Sequence, residues 1–373
     1  MEMETAAAFR RFGGGDSGVE NNCCLTICCQ DTRGRRRQWR YSEPVVFAPD
    51  FRDRPRRCAR ASATGPAGLE MTPIFPGWAR PAESPSEAGK QGDELLELAH
   101  RTGGALAFVG LALEARSAHS GCWLDRLALW AAAATVALGG RAEGEAEIRD
   151  AWHLARPDQD AGPAGRIFAL WRGIAGRSAP LADPELPAAV IRGFGRRSGE
   201  ALTETVALAR TLAGGPLPPL AAATGTVTGG LRLCPELPVL SLLLADAVLA
   251  CRLGWPVTVP LLAVGLDRRQ LRPEAPDWPA ACLAALGRGC AVAWDLHTGI
   301  GRRAGLLQAV RGRLRAKASG IVVDALLASD ALSPARLPGG MSDRAGRRLF
   351  DRLVAFGAVQ ELTGRPAFRL YGL

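Results

Sequence analysis

The sequence predicts a mainly α-helical protein: an irregular multi-helix domain followed by a small C-terminal winged helix-turn-helix with a two-stranded wing. Three observations predict it. The apolar fraction is 47% but aromatics are only 6%, so the core is built of Leu, Ala and Val, which suits packed helices better than a sandwich or barrel. Apolar residues recur at helical spacing from Asp93 onward, and no run of alternating apolar residues suggests a sheet before residue 357. The closing stretch SDRAGRRLFDRLVAFGAVQELTGRPAFRLYGL reads as a capped amphipathic helix, a glycine stop and a hairpin.

The 373 residues give room for two domains. Residues 1–70 mix GGGDSG, CCLTICC and RGRRRQWR without periodicity and are expected to be a disordered or non-native N-terminal extension. The change of character at Met71 predicts a native start there. A peptide from residues 1–60 in the native protein would overturn that expectation. Residues 71–91 are rich in Pro, Gly and Ser and read as a linker. Residues 92–317 form the α-helical domain, and residues 318–373 the winged helix.

The helices follow in order. Asp93–Arg116 carries Leu95, Leu98, Ala99, Leu106 and Val109 on one face; Trp123–Leu138 and Ala142–Ala155 follow, and Gly162–Gly176 comes after an Asp/Gly/Pro turn. Pro184–Phe194 starts with Asp183 as N-cap and Pro184 in the first turn, where the missing N–H costs nothing. Gly199–Leu212 stops at the Gly214-Gly215 pair, and Ala221–Leu231 is a glycine-interrupted helix. Leu237–Leu253 is the most apolar stretch; it ends at Gly254, and Pro256 blocks its continuation. It is too short for a bilayer and contains Asp246, which suits a core helix whose carboxylate meets an arginine or a backbone donor. Val257–Leu271 is expected as a further helix. Asp277–Ala318 is expected as a long one, broken near Gly299–Gly301.

In the C-terminal segment, Gly320–Ala328 is the first helix, and Ser333-Pro334 opens a short second one. Ser342 caps a third, with Asp343 at its positive end. Ala345, Leu349, Phe350, Leu353 and Val354 form its apolar stripe, and Gly357 ends it. Ala358–Leu362 and Ala367–Tyr371 are candidate strands around Thr363-Gly364-Arg365-Pro366.

Net charge is +9 and uneven. From residue 300 onward thirteen basic residues face five acidic ones, a surplus of eight. Such a local field attracts polyanions. The candidate nucleic-acid-binding residues are Arg344, Arg347, Arg348 and Arg352 on the third helix, with Arg365 and Arg369 on the wing. Arginine pairs bidentately with guanine and with phosphate when a helix enters the major groove. The same residues would serve a winged helix that docks protein, so a partner protein or self-association through the helical domain stands beside duplex DNA.

Enzyme signatures are sparse, and a non-enzymatic protein is expected. Asp150, His153, Asp158 and Asp160 are the densest polar cluster; Asp150 and His153 share a helix face at i, i+3 and could act as a general-base pair or as a helix-end ion pair. Asp295 and His297 do not face each other on a helix. Cys23, Cys24, Cys28 and Cys29 lack the second paired set that structural zinc uses. Cys122, Cys234, Cys251, Cys282 and Cys290 read as small buried hydrophobes. Trp152, Trp171, Trp255, Trp278 and Trp294 read as core anchors. No phosphate loop, dinucleotide fingerprint or nucleophile elbow occurs, so neither cofactor nor metal is expected. The N-terminus lacks the apolar run of a secretory signal, and a cytoplasmic protein with reduced thiols, not attached to a membrane, is expected.

The tail RLVAFGAVQELTGRPAFRLYGL resembles the winged helix of Fic-type proteins through Leu353, Gly357, Glu361, Thr363, Gly364, Arg365, Arg369 and Tyr371. The resemblance implies the fold only, because the Fic His-Pro-Phe catalytic string is absent. Over roughly residues 72–373 the chain resembles a bacterial family known as domain of unknown function 1403. The strings that carry this are ALWAAAATVALGGRAEGEAEIRDAWHL, GPAGRIFALWRG, RLGWPVTVPLLA, LRAKASGIVVDALLASDAL and the MSDRAGRRLFDRLVAFGAV tail. That resemblance implies no activity, cofactor or catalytic residue.

Overall fold

Helices account for most of the computed structural model, which describes residues 28–30, 36–38, 74–80, 91–155, 160–194, 199–314, 318–365 and 367–373. Two units divide at residue 69. In the first, β1 (Cys28–Gln30) pairs antiparallel with β2 (Arg36–Gln38), Cys29 opposite Arg37. The sequence, read for alternating apolar residues, does not anticipate these strands. The expectation of disorder over 1–70 otherwise falls outside the described residues, as do Cys23, Cys24 and Asp158.

The second unit spans Glu70–Leu373. Its helices are α1 (Gln91–Glu114), α2 (Ser120–Leu138), α3 (Glu145–Leu154), α4 (Gly162–Ile174), α5 (Leu186–Phe194), α6 (Glu200–Gly214), α7 (Pro219–Leu233), α8 (Pro238–Leu253), α9 (Leu262–Gly265), α10 (Trp278–Arg311), α11 (Ser319–Ala328) and α12 (Asp343–Ala355). Most fall within a few residues of the sequence reading. Asp183 accepts the Glu185 N–H at 2.8 Å just before α5, and Gly254 closes α8 with φ of 66°.

α8 is the centre. Val239 to Ala250 are all buried, which marks a core helix apolar on every side. It packs against α6, α7 and α9, while α1 lies along α10 and α2 against α4. Trp123, Trp171, Trp278 and Trp294 belong to the same core, and Trp152 and Trp255 pack on its edge. Asp246, 1% exposed, accepts the Leu261 and Leu262 N–H groups at 3.0 and 3.1 Å. It therefore caps α9 without a cationic partner among the described residues. Within the expected linker, Phe75 and Ala79 are buried, and Arg80 grips Asp295 through two bonds of 2.8 and 2.9 Å.

Three expectations fail for tertiary reasons. The helix over Val257–Leu271 shrinks to α9 and a turn at Arg268–Gln270 that Asp267 caps. Pro256 and Pro260 remove donors, and Thr258 bridges to Ala175 instead. Gly299–Gly301 does not break α10, which runs 34 residues, about 50 Å; its packing on α1, α2, α9 and α11 supports it through the glycines. Cys251 is exposed, unlike the buried Cys122, Cys234, Cys282 and Cys290. α2 is long and apolar enough to cross a membrane, but more than half of that window is buried in the core and it carries the buried Arg126.

α9 and α10 meet backbone to backbone. A Cβ at Gly265 would overlap the Ala285 carbonyl, and one at Gly289 the Leu261 carbonyl. Helix propensity alone predicts that Gly289→Ala gains about 1 kcal/mol. The clash is against rigid backbone on both sides, so the substitution is expected to lose about 1–3 kcal/mol or more. Urea midpoints measure it, and a more stable alanine variant would refute the packing argument.

Candidate nucleic-acid interface and its support

α12 forms because Ser342 accepts the Ala345 N–H at 3.4 Å and because its apolar stripe is buried. Gly346, Leu349, Phe350 and Leu353 face inward, and Phe350 stacks on Tyr371 with ring centroids 4.3 Å apart. Ala345 and Val354, placed on the stripe by spacing, are exposed. Arg344, Arg347, Arg348 and Arg352 all stand in solvent. Arg347 pairs with Asp343 at 2.6 Å, one turn back, and Arg352 donates to the Arg313 carbonyl at 3.3 Å. Arg344 and Arg348 have no ion-pair partner among the described residues.

The expected second helix is only a short turn, Pro334–Arg336, followed by Pro338–Gly340. Proline recurs every few residues there and denies a regular helix its donors. The strands shorten to β3 (Gln360–Glu361) and β4 (Tyr371–Gly372), paired antiparallel with Glu361 opposite Tyr371. On the other edge of β4, Leu332 exchanges two backbone bonds with Tyr371 at 2.8 and 2.9 Å.

The hairpin tip is built by Glu361, whose carboxylate accepts the Thr363 N–H at 2.8 Å and the Gly364 N–H at 3.0 Å, with Gly364 at φ of 62°. Partial burial opposes ionisation, but these bonds prevail and hold its pKa below the usual carboxylate range. The Glu-x-Thr-Gly string thus has a local structural cause. The hairpin arginines are engaged: Arg365 is ion-paired with Asp150 of α3, and Arg369 donates to the Arg365 carbonyl at 2.9 Å.

Beneath this surface lies a charge cluster that no sequence motif announces. Asp330, 0% exposed, sits between Arg126 of α2 and Arg149 of α3; the Arg149 Nε–Asp330 Oδ2 distance is 2.7 Å. Arg126 also donates to the carbonyls of Asp330 and Leu373 at 3.2 and 3.3 Å. Burial alone would neutralise Asp330, yet the two guanidinium groups win and lower its pKa. The only advance signal is that Arg126 and Asp330 interrupt otherwise apolar runs.

The Asp150–His153 pair does not assemble as a catalytic unit. Asp150 goes to Arg365, and Asp160 pairs with Arg166 and accepts the Gly162 N–H. His153 instead borders a cleft of about 470 Å³ with Trp152, Asp160, Arg166, Ser333 and Arg336. Its Nε2 is buried without a hydrogen-bond partner among the described residues. Burial pushes its pKa down to about 4 and neighbouring arginines assist, so the ring is neutral near pH 7. His297 is likewise pushed down to about 4 by burial; its ring lies 4.8 Å from that of His119, which is lowered for the same reason. No group of three or more potential metal ligands occurs among the described residues.

These features define a mainly helical protein whose C-terminal segment displays a basic helix over a buried ion cluster. The chain belongs to the family described as Protein of unknown function (DUF1403), whose profile matches residues 66–373. No curated protein and no solved structure matches it.

Proposed function

We propose that this protein binds duplex DNA in the cytosol, with residues 318–373 acting as a winged helix that lays α12 against the duplex. The observation that carries this reading is the outward face of α12, where Arg344 and Arg348 stand exposed without acidic partners among the described residues. Uncommitted guanidinium groups on a rigid helix suit phosphate and guanine contact. The order of elements supports the fold: helix, bridging residue Leu332, turn, capped helix, strand, tip, strand. The likeness of the tail to Fic-type winged helices supports it too. The footprint is narrower than the sequence alone suggests, because Arg365 is committed to Asp150. The helical domain would hold a protein partner or a second copy.

That same ion pair favours a second reading, in which the wing is a docking piece folded on its own chain with no nucleic-acid role. Fluorescence anisotropy of the full chain with labelled duplex DNA separates the two. Binding is expected to weaken with salt, and Arg344→Gln with Arg348→Gln is expected to lower the log–log salt slope by about 2, at roughly 0.9 per phosphate contact. Absence of binding at low salt would leave the docking reading. Binding that the double variant leaves unchanged would remove α12 as the interface.

A further inference from the structure

The cleft beside His153 has the composition of a small-molecule site, and nothing in the reading of α12 uses it. Its volume of about 470 Å³ falls in the range of ligand pockets. One wall is Trp152, held edge-on by Phe168 and bearing the Arg172 guanidinium 5.8 Å from its ring. Among the described residues, the charged groups lining the cleft are Arg166, Arg336 and Asp160, a formal surplus of one positive charge. Asp160 is spent on Arg166 at 2.5 Å. Arg336 has only neutral partners, the carbonyls that end α3: it reaches those of His153 and Leu154 at 3.1 Å each and also that of Ala155. Among the described residues the lining also brings the Ser333 hydroxyl and the Trp152 indole, while His153 packs behind it with its Nε2 buried.

We propose that this cleft binds a small aromatic monocarboxylate, its ring against Trp152 and its carboxylate toward Arg166 and Arg336. One negative charge balances the lining, and a flat ring matches the apolar wall. The site is independent of the nucleic-acid reading, since none of its residues lies on the exposed face of α12.

The test uses the full chain and sodium benzoate, with benzamide and inorganic phosphate as comparisons, read by thermal shift and tryptophan fluorescence. Benzoate is expected to bind saturably with Kd of about 1 mM or tighter, and benzamide and phosphate at least about tenfold more weakly. Arg166→Gln and Arg336→Gln should each weaken benzoate by about tenfold. Ala169→Leu, which fills the cleft from α4 without touching a charge, should abolish binding and covers the case in which a polar variant fails to fold. No saturable benzoate signal up to about 10 mM would overturn the proposal. So would equal binding of benzamide, or binding that survives Ala169→Leu.

Discussion

Asp330→Ala is expected to destabilise the protein by about 3–5 kcal/mol, because it leaves Arg126 and Arg149 buried and unpaired. The loss should appear as a lower urea midpoint in the full chain. A triple variant, Arg126→Met with Arg149→Met and Asp330→Leu, removes all the charges together and should recover most of it, since the cost lies in the stranded charges more than in the lost attraction. The pH dependence follows from the lowered pKa of Asp330. Its stabilising contribution is present above the ordinary aspartate value and fades as pH falls through the lower folded value. The gap between wild type and Asp330→Asn should therefore close in acid. A loss below about 1 kcal/mol for the alanine variant, typical of an exposed pair, would show that the cluster is solvated.

The second large effect comes from Asp246. Burial pushes its carboxyl up to about 7, and the Leu261 and Leu262 N–H groups only partly offset this. The unfolded chain ionises near pH 4 while the folded chain keeps the proton until about pH 7. Folding then takes up a proton, and stability falls as pH rises through that window, by on the order of 4 kcal/mol in total. His153 and His297, both pushed down to about 4, act in the opposite sense. The unfolded chain binds their protons first as pH drops below about 6.5, so stability falls toward acid. The two slopes oppose each other in the wild type. Asp246→Asn keeps a carbonyl oxygen for the α9 N–H groups and removes one slope. Its stability relative to wild type should climb by a few kcal/mol between pH 5 and pH 8, on the order expected from that shift. Parallel urea midpoints for the two proteins across this range would sink the argument.

Much of the helical architecture was legible because its signals act within a turn of helix. Ser342, Gly254, Gly357 and the Asp183-Pro184 start behave as their local chemistry dictates. Where reading by period failed, a distant partner decided. Thr258 joins Ala175, and α10 runs through Gly299–Gly301 because neighbouring helices hold it. For the candidate interface, spacing identified the arginine-bearing face of α12 but not which arginines stay uncommitted. Arg365 looks free in the sequence and is claimed by Asp150, a residue more than two hundred positions earlier.

By itself, then, the sequence determined a helix-rich chain, the caps and stops of most elements, the basic bias after residue 300 and the family. Tertiary structure alone decided that Arg126 and Arg149 converge on Asp330, that Asp246 caps α9, that Arg365 at the hairpin tip turns back on α3, and that a cleft opens beside His153. Caps and amphipathic stripes are written in neighbouring residues. A buried ion cluster joins side chains 181 and 204 positions apart, and its cost or benefit exists only once the intervening helices have excluded water.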